Sequence, residues 1–325
     1  MSGADRDWRP SATRARLQQR AQLLERTRQF FAARQVLEVE TPLCVRHAVT
    51  DVQLQSLAVS LPDDERPRFL HTSAEYAMKR LLAAGSGDIY QLCHVFRGGE
   101  QGPQHSLEFS MLEWYRLKFS LQQLMEEVAE LARALLGTAL PAAVAFVSYA
   151  ECLQQRLGIN PLTDSAARLA ECAHAEGFDS ALLMRCDRDQ LLDLLMATRV
   201  GPTLGRGGLC FVHRYPASQA ALARLDPEDV RVALRFELYL DGIELANGFE
   251  ELSSASEQRA RFTADLAMRE QRGLSVPDID ERLLAGLEHG LPACAGVAVG
   301  FDRLLMVAAG ATYIEQVLSF PSDRA

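Results

Sequence analysis

The segment Cys93-His-Val-Phe-Arg97-Gly-Gly-Glu-Gln-Gly-Pro-Gln-His105-Ser-Leu-Glu-Phe109-Ser-Met-Leu-Glu113-Trp-Tyr115 predicts a strand, a polar glycine-rich loop and a second strand. The second strand alternates with a period of two, which places on one face Leu107, Phe109, Met111, Glu113 and Tyr115. A ring, a carboxylate and a phenol on one face are unusual for core packing. Arg97 beside the loop glycines suits an anion such as phosphate. An ordinary hairpin with a solvated arginine fits the same residues.

Length and composition are those of an ordinary globular protein. The 325 residues can hold one large α+β domain or two small ones. No apolar run reaches membrane-spanning length, and residues 1–20 are too charged for a secretory signal. We therefore expect a cytoplasmic protein with no membrane association.

Cysteine usage and net charge argue against two classes of function. The seven cysteines are scattered and never form a C-x-x-C pair, which disfavours a zinc site or a disulfide framework. The net charge of −9 disfavours a broad nucleic-acid-binding surface, because phosphate neutralisation needs clustered lysine and arginine. We expect no stable binding of tRNA.

Hydrophobic periodicity predicts the elements around the hairpin. Residues 11–35 form an amphipathic helix that leads into an edge strand ended by Pro42, an arrangement common at dimer interfaces. Further strands are predicted at residues 52–61, 69–73 and 89–96, and helices at residues 74–84 and 121–136. Residues 146–200 carry three helical patterns and no polar constellation, and we expect them to form a helical insertion in the sheet domain.

A second hairpin is predicted at Asp241-Gly242, between a strand at residues 230–240 and the segment that follows. In that register Glu237 faces Ala246 and lies diagonally from Glu244 on the same face. The two carboxylates either hold a hard cation or form a solvent-facing pair. Asn247 and Glu251 fall on the opposite face from Glu244, and only a bulge or turn at Asn247-Gly248 would bring them together.

The C-terminal region predicts a small-residue strand that runs into an apolar helix, over residues 295–309. Gly296 and Gly300 would let a ligand lie against the backbone. Arg303, in the first turn of the helix, either stacks on a planar ligand or is an ordinary surface arginine. Before it, Ser254-Ala-Ser-Glu257 is a capping-box pattern that starts another helix.

The order of these motifs resembles the three motifs of class II aminoacyl-tRNA synthetases. The lysyl branch is suggested by Thr72-Ser-Ala-Glu75-Tyr-Ala-Met-Lys-Arg-Leu, by Phe109-Ser-Met-Leu-Glu-Trp-Tyr115 and by Glu244-Leu-Ala-Asn-Gly-Phe-Glu-Glu251-Leu. The resemblance implies an α+β fold with an antiparallel sheet flanked by helices. It also implies a single catalytic domain over residues 1–325, with residues 146–200 as its insertion, and a homodimer.

The first of the three motifs, the helix and strand that end at Pro42, begins almost at Met1, so we expect no anticodon-binding barrel of the kind that a lysyl-tRNA synthetase carries. The chain therefore resembles the free-standing paralogues of that enzyme, which use ATP to join (R)-β-lysine to a lysine of elongation factor P. The alternatives are a truncated lysyl-tRNA synthetase that still charges tRNA and a non-catalytic synthetase-like module.

The resemblance also implies roles for individual residues. Arg97 would hold the α-phosphate and the substrate carboxylate, and Phe109 and Arg303 would sandwich adenine. Glu237 and Glu244 would bind Mg²⁺. Six residues would bind the amino acid: Ser73, Glu75, Tyr115, Asn247, Glu251 and Ala298. Tyr115 and Glu251 would bind its side-chain ammonium, and Ser73 and Glu75 its other amino group. Asn247 would bind its carboxylate. The remaining residues expected at ATP are Gly98, Gly99, His105, Ser106, Leu245 and Gly300.

Two departures from the family pattern change what is expected. Ala298 stands where lysyl-tRNA synthetases have glycine, and its methyl group would disfavour α-lysine relative to β-lysine by about 1–3 kcal/mol. The second motif is the segment from Phe96 to Phe109. In its loop, called the motif 2 loop below, Gly99 replaces a carboxylate expected to contact adenine, and Pro103 replaces an arginine. The adjacent Glu100 would substitute for the carboxylate if the loop shifts.

Overall fold

The computed structural model of the chain describes residues 8–62, 64–137, 140–322 and 324–325. Its strands are β1 (Leu37–Glu38), β2 (Cys44–Val45), β3 (Leu57–Leu61), β4 (Asp64–Leu70), β5 (Ile89–Phe96), β6 (Glu108–Leu117), β7 (Val144–Ser148), β8 (Leu209–Pro216), β9 (Val232–Leu240), β10 (Ile243–Glu250) and β11 (Cys294–Gly300). Its α-helices are α1 (Arg14–Ala32), α2 (Glu75–Ala83), α3 (Leu121–Leu136), α4 (Tyr149–Leu157), α5 (Ala166–Ala175), α6 (Ser180–Leu183), α7 (Arg188–Leu195), α8 (Ala255–Gln271), α9 (Glu281–Gly290) and α10 (Phe301–Ala309).

Eight strands form the main sheet, in the order β1-β5-β6-β11-β10-β9-β8-β7. The two edge pairs, β1 with β5 and β7 with β8, are parallel, and the inner pairs are antiparallel. The expected α+β class, an antiparallel sheet flanked by helices, is confirmed. Among the described residues, no helix is long and apolar enough to span a bilayer.

The alternation of side chains along the strands gives the sheet two different faces. One face packs on α1, α3 and α10 around the fully buried Phe31, Trp114 and Phe236. The indole nitrogen of Trp114 donates to Glu127, 2.9 Å away, so its polar atom is satisfied in this core. The opposite face packs on α2, α8 and α9 only at one end, which leaves the rest of that face free to form a site.

Two predicted elements have the bounds that periodicity indicated, β5 and α3. Helix α3 starts at a capping box between Ser120 and Gln123 and ends at Gly137, where φ is +64°. The predicted strand at residues 52–61 is correct only from Leu57 onward. Residues 52–56 form a loop instead, with an isolated bridge from Gln55 to Gly98, and the Arg269 guanidinium donates to the backbone carbonyl oxygen of Leu54 (3.2 Å).

Part of the predicted helical segment 146–200 is not helical. Residues 146–148 end strand β7, which pairs with β8 at the edge of the main sheet. From Tyr149 onward four helices follow and surround a second apolar core, which contains Tyr149, Leu153 and Leu192 and rests on Val212 of β8. Strand β7 has only five residues and is partly exposed at the sheet edge, and an apolar run of this length does not distinguish a strand from the start of a helix.

The β9–β10 hairpin has the predicted turn but a different register beyond it. Asp241 and Gly242 both have positive φ (49° and 78°), as a two-residue primed turn requires. Glu244 faces Tyr239 as expected, but the register then shifts, so that Glu237 faces Asn247 and not Ala246. A bulge between Glu244 and Ala246, rather than at Asn247-Gly248, turns Asn247 onto the face that carries both carboxylates.

Candidate active site

The free face of the sheet carries a row of chemically distinct side chains. Across the four central strands, Glu113 lies opposite Ala298, Ala298 opposite Asn247, and Asn247 opposite Glu237. This row exists because the bulge in β10 brings Asn247 into phase with its neighbours. One residue from each of four strands therefore lies in a single row across the free face.

A cavity of about 490 Å³ lies over this face, a volume typical of small-molecule sites. Twelve of the predicted site residues line it: Ser73, Glu75, Arg97, His105, Ser106, Phe109, Glu244, Leu245, Asn247, Ala298, Gly300 and Arg303. The other five do not line it: Gly98, Gly99, Tyr115, Glu237 and Glu251. Glu100 lines it as well, although the sequence indicated only a substitute role for that residue.

Arg97 and Phe109 are in contact at one end of the cavity. The guanidinium carbon of Arg97 lies 5.3 Å from the ring centroid of Phe109, within cation–π range. Its Nε is 3.4 Å from the carbonyl oxygen of Thr72, to which it donates. Among the described residues, neither terminal nitrogen of Arg97 has a hydrogen-bond partner, so both are available to an anion.

Arg303 is fixed beside this pair by three acceptors. It donates to the carbonyl oxygens of Gln104 (3.2 Å) and Glu244 (3.0 Å) and to Nε2 of His105 (2.8 Å). Burial, and then the charge of Arg303, lower the pKa of His105, which keeps the imidazole neutral and able to accept that bond. The arginine is thus held over the cavity and is not a mobile surface group.

The glycines of the motif 2 loop are explained by their packing on Gln55. The amide of Gly98 donates to the Gln55 carbonyl oxygen (2.8 Å), and a Cβ at Gly98 would lie 3.0 Å from Gln55 Cγ. Gly99 has φ +77°, which disfavours any residue with a side chain. The loop therefore places Glu100, and not residue 99, on the cavity.

Glu113 is a buried carboxylate at the other end of the site. It is 2% exposed and accepts hydrogen bonds from Ser73 Oγ (2.8 Å) and the Ala74 amide (3.0 Å). Burial raises its pKa to about 7. The sequence placed Glu113 on the correct face, but no binding role was predicted for it.

Glu75 and Glu251 meet at a residue that the sequence analysis missed. Nζ of Lys79 lies 2.6 Å from Glu75 Oε1 and 2.6 Å from Glu251 Oε2. The spacing of Glu75 and Lys79, four residues apart on a helix, was the available signal for the first pair. The second pair joins α2 to the end of β10, and no local pattern indicates it.

The absence of a side chain at Gly296 leaves room for the side chains of Tyr115 and Glu251. A Cβ at this position would clash with the ring of Tyr115 and come within 2.6 Å of Glu251 Oε1. Both side chains are buried, and they lie behind the cavity wall rather than on its surface. The glycine therefore allows the phenol and the carboxylate to pack directly on the strand.

The pair of carboxylates expected to hold Mg²⁺ is present but unequally exposed to the cavity. Glu237 accepts from Arg235 (2.5 Å) and from the Tyr239 hydroxyl (2.7 Å), whereas Glu244 lines the cavity. Desolvation, and then the charge of Glu237, raise the pKa of Glu244, as expected for two neighbouring carboxylates. No group of three potential metal-binding His, Cys, Asp or Glu side chains occurs in the described part of the chain. Two carboxylates suit Mg²⁺ when substrate phosphates complete its coordination.

Comparison with known proteins gives a consistent result. A family model described as tRNA synthetases class II (D, K and N) matches residues 5–324. A protein of Pseudoalteromonas translucida named elongation factor P–(R)-β-lysine ligase is 47% identical over 322 residues. Proteins with the same name from Vibrio cholerae and Pectobacterium atrosepticum are each 46% identical, over 323 and 322 residues. The alignments cover 98% of this chain and 98–99% of each relative. The chain therefore belongs to the class II tRNA synthetases of the D, K and N group, and within them to the family of the elongation factor P–(R)-β-lysine ligases.

Proposed function

We propose that this protein activates (R)-β-lysine with ATP and transfers it to the ε-amino group of a lysine on elongation factor P. One observation carries the proposal. A single cavity is lined by Arg97, whose terminal nitrogens have no partner among the described residues, by the Phe109 ring and by the Glu75 carboxylate, and the buried carboxylates of Glu113 and Glu251 lie behind its wall. The arginine and the ring suit a nucleotide phosphate and base, and the carboxylates suit ammonium groups.

In the first step, a carboxylate oxygen of β-lysine attacks the α-phosphorus of ATP. The new phosphorus–oxygen bond forms as the bond to pyrophosphate breaks. Arg97 would bind the α-phosphate and the attacking carboxylate through its free terminal nitrogens, which stabilises the charge that develops on phosphorus. No side chain needs to act as a covalent nucleophile, because positioning the two substrates accounts for the step.

Adenine would lie between Phe109 and Arg303. The three hydrogen bonds that hold Arg303 fix its guanidinium plane before the nucleotide binds. His105, Ser106, Leu245 and Gly300 would complete the walls, and Gly98 and Gly99 would act through the loop that they shape. Glu100 is the one acidic side chain of this loop, and it would contact the base in place of the carboxylate missing at Gly99.

Glu244, with Glu237 behind it, would hold Mg²⁺ together with the ATP phosphates. When bound, the ion supplies charge neutralisation between the phosphates. The chain's own contribution is the orientation of Glu237, which accepts hydrogen bonds from Arg235 and from the Tyr239 hydroxyl.

The amino acid would lie along the row that contains Glu113, Ala298 and Asn247. Glu75 with Ser73 would bind one ammonium group, Glu251 with Tyr115 the other, and Asn247 the carboxylate. Asn247 would donate to the carboxylate through Nδ2. Its Oδ1 atom, buried without a hydrogen-bond partner among the described residues, would accept from an ammonium group of the substrate. Ala298 would favour the β-amino acid over α-lysine.

In the second step, the neutral ε-amine of the acceptor lysine attacks the carbonyl carbon of the adenylate. An amide bond forms, the bond to AMP breaks, and the amine releases a proton to solvent. Because the acceptor is a protein side chain, this step requires no stable tRNA binding.

We also propose that the protein is a cytoplasmic homodimer built as one catalytic domain, with the helices of residues 149–200 as an insertion. Two exposed apolar side chains in the region that ends near Pro42 support the dimer. Leu37 of β1 is 55% exposed, and Leu43 is 41% exposed. Sedimentation equilibrium of the wild type should give twice the chain mass of 35.9 kDa.

Amino-acid-dependent exchange of pyrophosphate into ATP tests the activation step. Exchange should occur with (R)-β-lysine and more weakly with α-lysine. Arg97→Ala should lower kcat/KM by about 100-fold or more, the usual effect of removing one transition-state donor. Arg133→Ala, an exposed change at the end of α3, is the matched control and should retain activity. Absence of exchange with both amino acids would contradict the proposal.

A further inference from the structure

Lys79 has no role in the mechanism above, yet it lies where the amino acid is expected to bind. Its side chain is 1% exposed, on helix α2. Its Nζ touches Glu75 and Glu251, the carboxylates assigned to the two amino groups of the substrate. Among the described residues, Lys79 is the only hydrogen-bond or ion-pair partner of either carboxylate. It therefore bridges both predicted ammonium subsites.

The charges around Lys79 explain why a cation is needed there. Glu75, Glu113 and Glu251 are close enough to influence one another. Burial is the main cause that raises the pKa of Glu251, with Glu75 and Glu113 adding to the effect, and Lys79 opposes it. Burial alone would lower the pKa of Lys79, but the charges of Glu251 and Glu75 raise it above its ordinary value.

The other titratable groups described near Glu251 do not supply a second positive charge to it. On β6, burial raises the pKa of Tyr115, and on β11 it raises the pKa of Cys294, so both stay neutral. Arg97 interacts with Glu113 but is not among the groups that perturb Glu251. Without Lys79, Glu251 would be a buried carboxylate with no counter-charge, and its pKa would rise further.

We propose that Lys79 is a specificity-determining positioning residue for the amino acid. Its ammonium is the shared counter-charge of Glu75 and Glu251 and leaves one oxygen of each free for an ammonium group of the substrate. An amino acid with two ammonium groups pairs with both, whereas one with a single group leaves a buried carboxylate unpaired. The inference rests on the proposed function, because it takes the cavity to be the amino-acid site.

Lys79→Met tests the inference, with Lys118→Met as the matched control. The chain has only these two lysines, and Lys118 is exposed after β6. Pyrophosphate exchange is measured with (R)-β-lysine and with (R)-3-aminohexanoate, which lacks the terminal amino group; if the latter is not activated, its inhibition constant is used. At pH 7, Lys79→Met should raise the KM for β-lysine about tenfold or more. The KM for ATP, and the KM or inhibition constant for aminohexanoate, should change less than about threefold.

A pH series separates this role from a merely structural one. In the wild type the KM for (R)-β-lysine should fall as the pH rises from 7 to 8.5, because Glu251, whose pKa is raised to about 8, loses its proton. In Lys79→Met the KM should stay high over the same range, because loss of the lysine raises the pKa of Glu251 further. An unchanged preference for the diamino acid, or equal losses with both compounds at both pH values, would contradict the inference.

Calorimetry on the wild type covers the case in which the variant does not fold. In two buffers of different ionisation enthalpy at pH 7, (R)-β-lysine should release up to about one more proton on binding than aminohexanoate. Equal proton release would overturn the inference. If the wild type activates neither amino acid, the proposed function itself fails. If it activates β-lysine while the variant keeps the wild-type preference, only the role of Lys79 fails.

Discussion

Ala298 shows how a single methyl group is expected to set substrate preference. It lines the cavity between Glu113 and Asn247, its direct neighbours on the adjacent strands. The sequence identified this position from its departure from the family pattern, and the structure places it on the floor of the site. Lys79 could not be found in the same way, because its second carboxylate, Glu251, lies 172 residues further along the chain.

Ala298→Gly should gain activity with α-lysine. Removing the methyl group gives space beside the substrate's backbone amino group, and we expect kcat/KM for α-lysine to rise about tenfold or more relative to (R)-β-lysine. Ala295→Gly makes the same change on the opposite, core-facing side of β11 and should leave the ratio unchanged. A ratio that stays at the wild-type value in Ala298→Gly would remove this explanation of substrate preference.

At the scale of elements, local periodicity was sufficient wherever an element is defined by its own sequence. The bounds of β5 and α3 followed from alternation, apolar spacing and caps. The bulge at Glu244–Ala246 and the loop at residues 52–56 did not. The bulge interrupts the alternation that the prediction assumed, and the loop contacts Arg269, which is distant in sequence. The prediction that Asn247 lies on the opposite face from Glu244 was therefore wrong, since it assumed regular alternation through the position of the bulge.

Gly296→Ala should damage the amino-acid end of the site and spare the nucleotide end. The added methyl group would push the Tyr115 ring and the Glu251 carboxylate away from β11, at a cost of about 1–3 kcal/mol. We expect a lower Tm and a KM for (R)-β-lysine raised more than that for ATP. Gly286→Ala is the matched control, since its Cβ would make an ordinary 3.4 Å contact with Arg80. Equal effects of the two substitutions on KM would show that Gly296 has no special part in the site.

At the scale of the whole molecule, the buried carboxylates link stability to pH. The pKa of Glu113 is raised from 4.5 to about 7, so the folded protein holds a proton that the unfolded chain releases between these values. Its contribution to the unfolding free energy is complete below pH 4.5 and is lost as the pH rises through about 7. The histidines His71, His105 and His213, whose pKa values are lowered, change stability in the opposite direction near pH 6.5.

Comparing the wild type with Glu113→Gln isolates the contribution of Glu113 to the unfolding free energy, because both proteins have the same histidines. Unfolding by urea at pH 5.5, 7 and 8 should show that the stability of the wild type relative to the variant decreases as the pH rises. The total change is expected to reach about 1–3 kcal/mol over that range. A difference that is independent of pH would show that Glu113 is ionised throughout and that burial does not control its charge.

The fold, the family and most of the cavity residues followed from the order of motifs in the sequence, because each motif is a strand or strand–helix unit that meets the others at the centre of one sheet. The partner of the reaction did not follow from any local feature of the cavity. Its identity is the central claim of the proposed function.

Intact mass spectrometry of elongation factor P tests that claim most directly. The protein is incubated with ATP, (R)-β-lysine and elongation factor P, and in a parallel reaction with unfractionated tRNA as the acceptor. We predict that elongation factor P gains the mass of one β-lysyl group on a single lysine, that omission of ATP abolishes the gain, and that tRNA is not acylated. Acylation of tRNA with no change in the mass of elongation factor P would contradict the account.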